Sequence, residues 1–161
     1  VGSLHPLMTF PGPEVALPAG EIPAAVAGDP LAVQAARDLA AKLGLSPFEV
    51  TGDRALYHAA AVTAGNFATA LLHEASTMLA AAGVPLSDAP RILAPLALNS
   101  LQNTAAHGAA ETLTGPVARG DEDVIQGHLH AIAGFPAHTQ AVYTALLQAT
   151  RQLVKGQSGR E

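Results

Sequence analysis

The sequence predicts a mainly α protein, in which an all-helical domain follows a strand–helix–strand (βαβ) piece that ends a doubly wound parallel sheet. Seven of the twelve prolines fall in the first 50 residues, where apolar residues come in short, strand-like runs. After residue 53 the chain becomes rich in Ala and Leu, with apolar residues at helical spacing. No G-x-G-x-x-G motif occurs, so we expect the phosphate-binding first half of the sheet to lie upstream.

The βαβ piece is predicted between residues 22 and 50. Residues 22–27 favour a short strand. Gly28, Asp29 and Pro30 then supply a turn, a helix cap and a proline for the first helical position. Residues 31–43 carry apolar side chains every four positions and are followed by Gly44, which predicts a helix and its end. A second strand at 48–50 must then run parallel to the first.

The rest of the chain is predicted to form four or five helices. One long helix spans residues 54–82, and a second is capped by Ser87, bends near Pro95 and stops at Gly108. A loop at 113–121 follows.

Two further helices complete this part. One is capped by Asp121, and the last has Pro136 in its first turn and ends at Gly156. We therefore expect a remnant of a nucleotide-binding domain at 1–53, a helical substrate and dimerisation domain at 54–155, and a frayed tail at 156–161.

Composition excludes several classes of function. The net charge of −5, with no cluster of Lys and Arg, argues against a nucleic-acid partner, and the lack of Cys excludes disulfides, thiol catalysis and Cys-ligated metals. Residues 55–73 are uncharged, but they are mostly Ala, Gly and Thr, so a buried helix is favoured over a membrane span. No metal-ligand spacing and no G-x-S-x-G motif occurs. These features fit a cytoplasmic protein without a membrane partner.

The long predicted helix carries a line of polar residues. His58, Asn66, Thr69 and His73 fall within roughly 80° of one another at 100° per residue. In the functional interpretation they face a cleft, where His58 exchanges a proton with the substrate and Asn66 orients it. In the structural interpretation they touch solvent along one strip, or are buried and bonded to nearby carbonyls.

Two other places offer substrate contacts. Arg119, in the loop with Thr114, could bind a small anion, or it could pair with Asp121 or Asp53 and fasten the turn. His5 follows an expected strand end, where ligands bind in open α/β sheets, although a turn residue is the alternative.

Four segments in this order resemble a bacterial family catalogued as domain of unknown function 2520. They are SLHPL at 3–7, AGD at 27–29, LYHAAAVTAGNF at 56–67 and LTGPVARGD at 113–121. The resemblance implies an all-helical domain like the C-terminal domain of 6-phosphogluconate dehydrogenase, preceded by the last βαβ piece of a Rossmann-like sheet.

The family is similar in layout to ketopantoate reductases, pyrroline-5-carboxylate reductases and deazaflavin-dependent NADP oxidoreductases. In such relatives the substrate lies between the two domains, and the helical domains often form dimers. The first helix of the helical domain often carries a catalytic Lys followed by Asn. Here His58 takes the place of the Lys, Val62 stands where one Asn might sit, and Asn66 matches a second Asn.

The resemblance implies the C-terminal part of an oxidoreductase that uses NADP or NAD to reduce a small oxo-acid or imine. The chain opens without Met, and we expect it to be part of a longer protein, inactive alone and unable to hold NADP. We expect His58 and Asn66 to be catalytic, His5, Thr114 and Arg119 to bind substrate, and the helical domain to form a homodimer. The alternative is a non-catalytic helical dimerisation or binding module.

Overall fold

The computed structural model describes residues 1–10, 12–15 and 20–158 and divides the chain into two compact units, Val1–Ala68 and Thr69–Glu161. The mainly α fold class is confirmed. The predicted boundary after residue 53 separates functional domains and not compact units, so it stays a prediction. Each unit is described by itself.

The first unit is built on a three-stranded sheet with the order β1 (Gly2–Pro6), β2 (Ile22–Gly28), β3 (Leu45–Glu49). Strands β2 and β3 are parallel, and helix α1 (Pro30–Lys42) connects them, so the predicted βαβ unit is confirmed. Helix α1 begins where expected because Asp29 caps it, accepting the Ala32 N–H at 3.0 Å.

Strand β1 differs from the prediction. His5 and Pro6 lie inside this strand, and it runs antiparallel to β2, with His5 opposite Ala25. The placement of His5 after the carboxyl end of a strand was therefore wrong, because the strand extends through Pro6. A proline is tolerated there since β1 lies at the edge of the described sheet, where one row of N–H groups has no partner strand.

The two faces of the sheet have different neighbours. Ala24 and Val26 are fully buried on the face covered by α1, which also buries its own Val33 and Ala40. Alternate residues point the other way. On that second face, Ser3 and His5 of β1 lie opposite Ala27 and Ala25 of β2. Small side chains on β2 thus leave room beside two polar side chains on β1.

The predicted helix at 54–82 is interrupted at Gly65. Helix α2 (Arg54–Ala64) ends there and α3 (Asn66–Ala81) begins at the next residue, because Gly65, at φ −100° and ψ −75°, is distorted from regular helical angles although it stays in the right-handed region. Glycine makes such a break inexpensive since it gains little from staying helical. The start of α2 follows the usual rule, as Asp53 accepts the N–H groups of Ala55 and Leu56.

The second unit is helical. After most of α3 it contains five further helices: α4 (Ala89–His107), α5 (Ala109–Thr112), α6 (Pro116–Arg119), α7 (Glu122–Ile132) and α8 (Ala137–Ser158). The predicted loop at 113–121 thus contains the one-turn helix α6.

Two predicted caps and one predicted end differ in detail. Asp88, rather than Ser87, takes the N-cap position of α4, without a side-chain capping bond. Asp121 takes the N-cap position of α7 as predicted, but it makes no side-chain capping bond, and its carboxylate accepts from Arg119 instead. Helix α8 continues past Gly156 to Ser158, and residues 159–161 of the predicted tail lie outside the described residues.

The core of the second unit is small and partly polar. Ile125 and Ile132 of α7 are buried, together with Ser76 of α3 and Thr139 of α8. The Thr139 hydroxyl donates to Glu74 Oε2 at 2.7 Å, and the hydrogen bond joins α3 to α8 across 65 residues of sequence. In the described part of the chain, no helix is long and apolar enough to cross a membrane.

Candidate functional site

An open groove in the first unit lies between the second face of the sheet and helix α2. Its volume is about 370 Å³. Strand β1 contributes Ser3 and His5, and α2 contributes Arg54, Tyr57 and His58. The helix residues are spaced i, i+3 and i+4, so their side chains share one face of α2. The floor is formed by small residues of β2, which is why the groove is not filled.

A second groove of about 710 Å³ lies next to the first along α2. It shares His5, Tyr57 and His58 with the first groove and reaches Gly65 and Asn66 at the end of the helix. The break at Gly65 therefore lies at the edge of the groove. The two grooves are neighbours that share His5, Tyr57 and His58, and we refer to them together as the α2 groove.

A hydrogen bond between His5 and Tyr57 joins the sheet to α2. The His5 Nδ1 atom lies 2.7 Å from the Tyr57 hydroxyl, and the two rings meet edge to face with centroids 5.8 Å apart. Phe48 of β3 packs against the other side of the tyrosine ring, at 6.2 Å between centroids. Burial raises the pKa of Tyr57 above its ordinary value, so the side chain remains a neutral phenol at neutral pH.

Three of the residues singled out from the sequence line the α2 groove. His5, His58 and Asn66 all contribute to its wall, and all three are exposed to solvent. His58 and Asn66 are therefore not buried groups bonded to neighbouring carbonyls. Their exposure fits either a ligand-facing role or a strip of helix that touches solvent.

The other predicted residues lie in the second unit. Thr114 precedes α6, and Arg119 ends it. The Arg119 guanidinium donates to Asp121 at 2.8 Å, so the turn-fastening interaction foreseen for this arginine is present. Thr69 and His73 of the predicted polar line belong to the second unit as well. The substrate-binding roles of Thr114 and Arg119 stay predictions.

Sequence analysis missed Ser3, Arg54 and Tyr57. A signal for the last two was present, since Arg54, Tyr57 and His58 have the spacing of one helix face. Ser3 and His5 alternate along β1, so they share a face of the sheet. Within residues 1–10, 12–15 and 20–158, no three metal-ligating side chains lie close enough together to hold an ion.

The link between His5 and Tyr57 is testable by a double-mutant cycle. We expect Tyr57→Phe to lower the free energy of unfolding by about 1 kcal/mol, because the hydroxyl loses a neutral hydrogen bond while the ring keeps its packing. In the His5→Ala background the same change should have a smaller effect, measured by urea unfolding. Equal effects in both backgrounds would show that the two side chains do not interact.

Known proteins that are similar to this chain identify its family and its fold. A family model described as a domain of unknown function, DUF2520, matches residues 22–150. Among curated proteins, no match is found.

Similar solved structures include the following two. Protein TM1727 from Thermotoga maritima has a TM-score of 0.77 and 20% identity, over 98% of this chain and 62% of its own length. A putative NADP oxidoreductase, BF3122 from Bacteroides fragilis, has a TM-score of 0.73 and 24% identity, over 94% of this chain and 57% of its own. The chain thus spans about three fifths of each of these structures. At these identities the likeness establishes the fold.

Proposed function

This chain belongs to the DUF2520 family, and from that premise we propose that it is the C-terminal part of an NAD(P)-dependent oxidoreductase that reduces a small oxo-acid or imine. The single observation that carries the proposal is the α2 groove, where His5, His58 and Asn66 stand around one open space. The name of the similar Bacteroides fragilis protein supports the choice of NADP chemistry.

The side chains in the groove suit the proton-transfer step of such a reduction. A nicotinamide, when bound, supplies a hydride to the carbonyl or imine carbon, and the electron pair of the double bond moves to oxygen or nitrogen. In our proposal the His58 ring gives the proton that neutralises this atom, because an imidazole exchanges protons near neutral pH. Asn66 orients the substrate through its amide, and His5 binds it from the opposite wall.

The cofactor would be held mainly by residues outside this chain. A dinucleotide needs backbone N–H groups of a glycine-rich turn for its pyrophosphate, and the sequence contains no such motif. The α2 groove offers side-chain donors and apolar surface, which suit a nicotinamide and a small substrate. The predicted substrate-binding roles of Thr114 and Arg119, in the second unit, remain part of the proposal, and Arg119 would have to exchange Asp121 for a ligand in order to take one.

The test is hydride transfer by the natural-length protein. Reduced NADP and NAD are each offered with a panel of 2-oxo acids and cyclic imines, and the loss of reduced-nicotinamide absorbance is followed. We expect turnover with at least one member of the panel. If neither cofactor binds in calorimetry and none is oxidised, the oxidoreductase proposal is wrong.

A second role, dimerisation, is favoured by helix α4. Four of its large apolar side chains are exposed by 50–66%, and they are Ile92, Leu96, Leu98 and Leu101. Of the whole helix, only Ala89 is buried among the described residues. So much uncovered apolar surface is costly in water, and a second copy of the chain would cover it.

This role could accompany catalysis or replace it, as in a non-catalytic dimerisation module. Light scattering of the natural-length protein should therefore give the mass of a dimer at micromolar concentration. A monomer at high micromolar concentration would contradict the proposed assembly, whatever the outcome of the hydride-transfer assay.

A further inference from the structure

Arg54 differs from the other arginines that the structure describes. Four of them are each paired with a carboxylate, in the pairs Arg37–Glu49, Arg91–Asp88, Arg119–Asp121 and Arg151–Glu122. In the described part of the chain, Arg54 forms no ion pair. Its guanidinium instead donates to the Ser3 hydroxyl, at 3.2 Å. A cation without a counter-ion thus stands in the wall of the α2 groove.

The described residues that share the groove wall with Arg54 offer hydrogen-bond donors and carry no carboxylate. None of the described residues that line the α2 groove is acidic. The nearest acid in sequence, Asp53, already accepts two backbone N–H groups of α2. Ser3 accepts from Arg54 and keeps its own O–H to donate. The guanidinium and this hydroxyl therefore form a pair of donors at the end of the groove.

We infer that Arg54 and Ser3 bind the carboxylate of the substrate, and that the α2 groove selects small acids over their uncharged counterparts. This inference rests on the proposed function for the identity of the groove as a substrate site. An arginine fork matches the two oxygens of a planar carboxylate. His58 lies one helical turn further along the same face of α2, which places it beside the neighbouring carbonyl or imine group of a short acid.

A carboxylate fits this site better than a phosphate does. Phosphate groups usually bind at a helix start through several backbone N–H groups. At the start of α2, two of those groups, the N–H groups of Ala55 and Leu56, already donate to Asp53. A single guanidinium and a hydroxyl suffice for a carboxylate of one negative charge.

The test is a titration of the natural-length protein without any nicotinamide. Pyruvate, its uncharged methyl ester and inorganic phosphate are added separately, and the ring signals of His5 and His58 are followed by NMR. We expect saturable shifts with pyruvate and none with the ester or phosphate. Arg54→Gln should weaken pyruvate binding about 10- to 100-fold, because a charged hydrogen-bonded pair is lost. Arg54→Lys should fall between, since it keeps the charge without the fork.

Arg91→Gln is the matched control, because it removes one exposed positive charge from the second unit. It should bind pyruvate like the wild type. The ring signal of His128, which bonds Tyr143 in the second unit, reports whether each variant is folded. Unchanged pyruvate affinity in Arg54→Gln, no pyruvate binding by the wild type, or Arg54-dependent binding of phosphate would each overturn the inference.

The outcome is separable from that of the hydride-transfer assay. If pyruvate binding depends on Arg54 and no substrate is reduced, the carboxylate site stands and the oxidoreductase proposal fails. If turnover is observed with unchanged KM for acids in Arg54→Gln, the oxidoreductase proposal stands and the carboxylate site is wrong.

Discussion

Replacing His58 by alanine should lower the kcat of the natural-length protein about 100- to 10,000-fold, the range typical for loss of a positioned general acid. The side chain lines both parts of the α2 groove and is exposed to it. Without the imidazole, water would have to protonate the reduced substrate. The measurement is steady-state oxidation of the reduced nicotinamide at saturating substrate, compared between the wild type and the variant.

Two other variants make this result specific. Asn66→Ala should raise KM and lower kcat less than His58→Ala does, since the amide is proposed to orient the substrate and not to exchange protons. His107→Ala removes another exposed histidine, in the last turn of α4, and should retain wild-type activity. Turnover by His58→Ala at the wild-type rate would remove His58 from the mechanism.

Replacing Gly28 by alanine should lower the free energy of unfolding by about 3 kcal/mol or more, on the scale of strained backbone positions with an added clash. Gly28 has φ +144°, and a Cβ there would lie 2.5 Å from both the Gly2 Cα and the Val1 carbonyl oxygen. Strands β1 and β2 would have to separate at this end. Because β1 carries Ser3 and His5, the groove should be disturbed together with the stability, as read from urea unfolding and the His5 ring signal.

Gly44→Ala is the matched control for backbone strain. Gly44 also has a positive φ, +68°, but a Cβ there would meet nothing within 4 Å. We expect a loss of about 1 kcal/mol, from the left-handed conformation alone. If the two variants lose equal stability, the close approach of β1 and β2 contributes nothing, and the explanation given for Gly28 is wrong.

The parts of the fold that sequence could predict are those fixed by local signals. Asp29 and Pro30 mark the start of α1, and Asp53 marks the start of α2, because caps act within a few residues. The direction of β1 depends on a pairing with residues about twenty positions away in the sequence, including His5 with Ala25. Nothing in the five residues of β1 encodes that partner or its orientation.

The break at Gly65 shows the limit of periodicity. Glycine occurs inside many helices, and Gly65 still donates its N–H to the Ala61 carbonyl at 2.9 Å. Packing against neighbouring elements decides whether the next turn continues along the same helix axis. The spacing of apolar residues in the sequence carries no information about that packing. The predicted polar line assumed a straight helix, and its two ends now belong to different compact units.

The candidate site was predictable in its histidines and Asn66, but not in the residues that connect them. Tyr57 gives no functional signal in the sequence, since an aromatic residue on an apolar helix usually indicates packing, and it does pack on Phe48. Its bond to His5 depends on where β1 lies beside α2. Arg54 is distinguished from the other described arginines only by its lack of a carboxylate partner, which depends on the folded structure and not on the sequence.

Ala25 and Ala27 line the floor of the α2 groove with small side chains that are themselves buried. Neither side chain is needed to hold α1, which covers the opposite surface of the sheet. Under the proposed function, exchange of either alanine for a bulkier aliphatic residue would therefore leave less room for the substrate, without changing His58 or Arg54. Substrate length could in this way diverge among related proteins through two positions that carry no chemistry of their own.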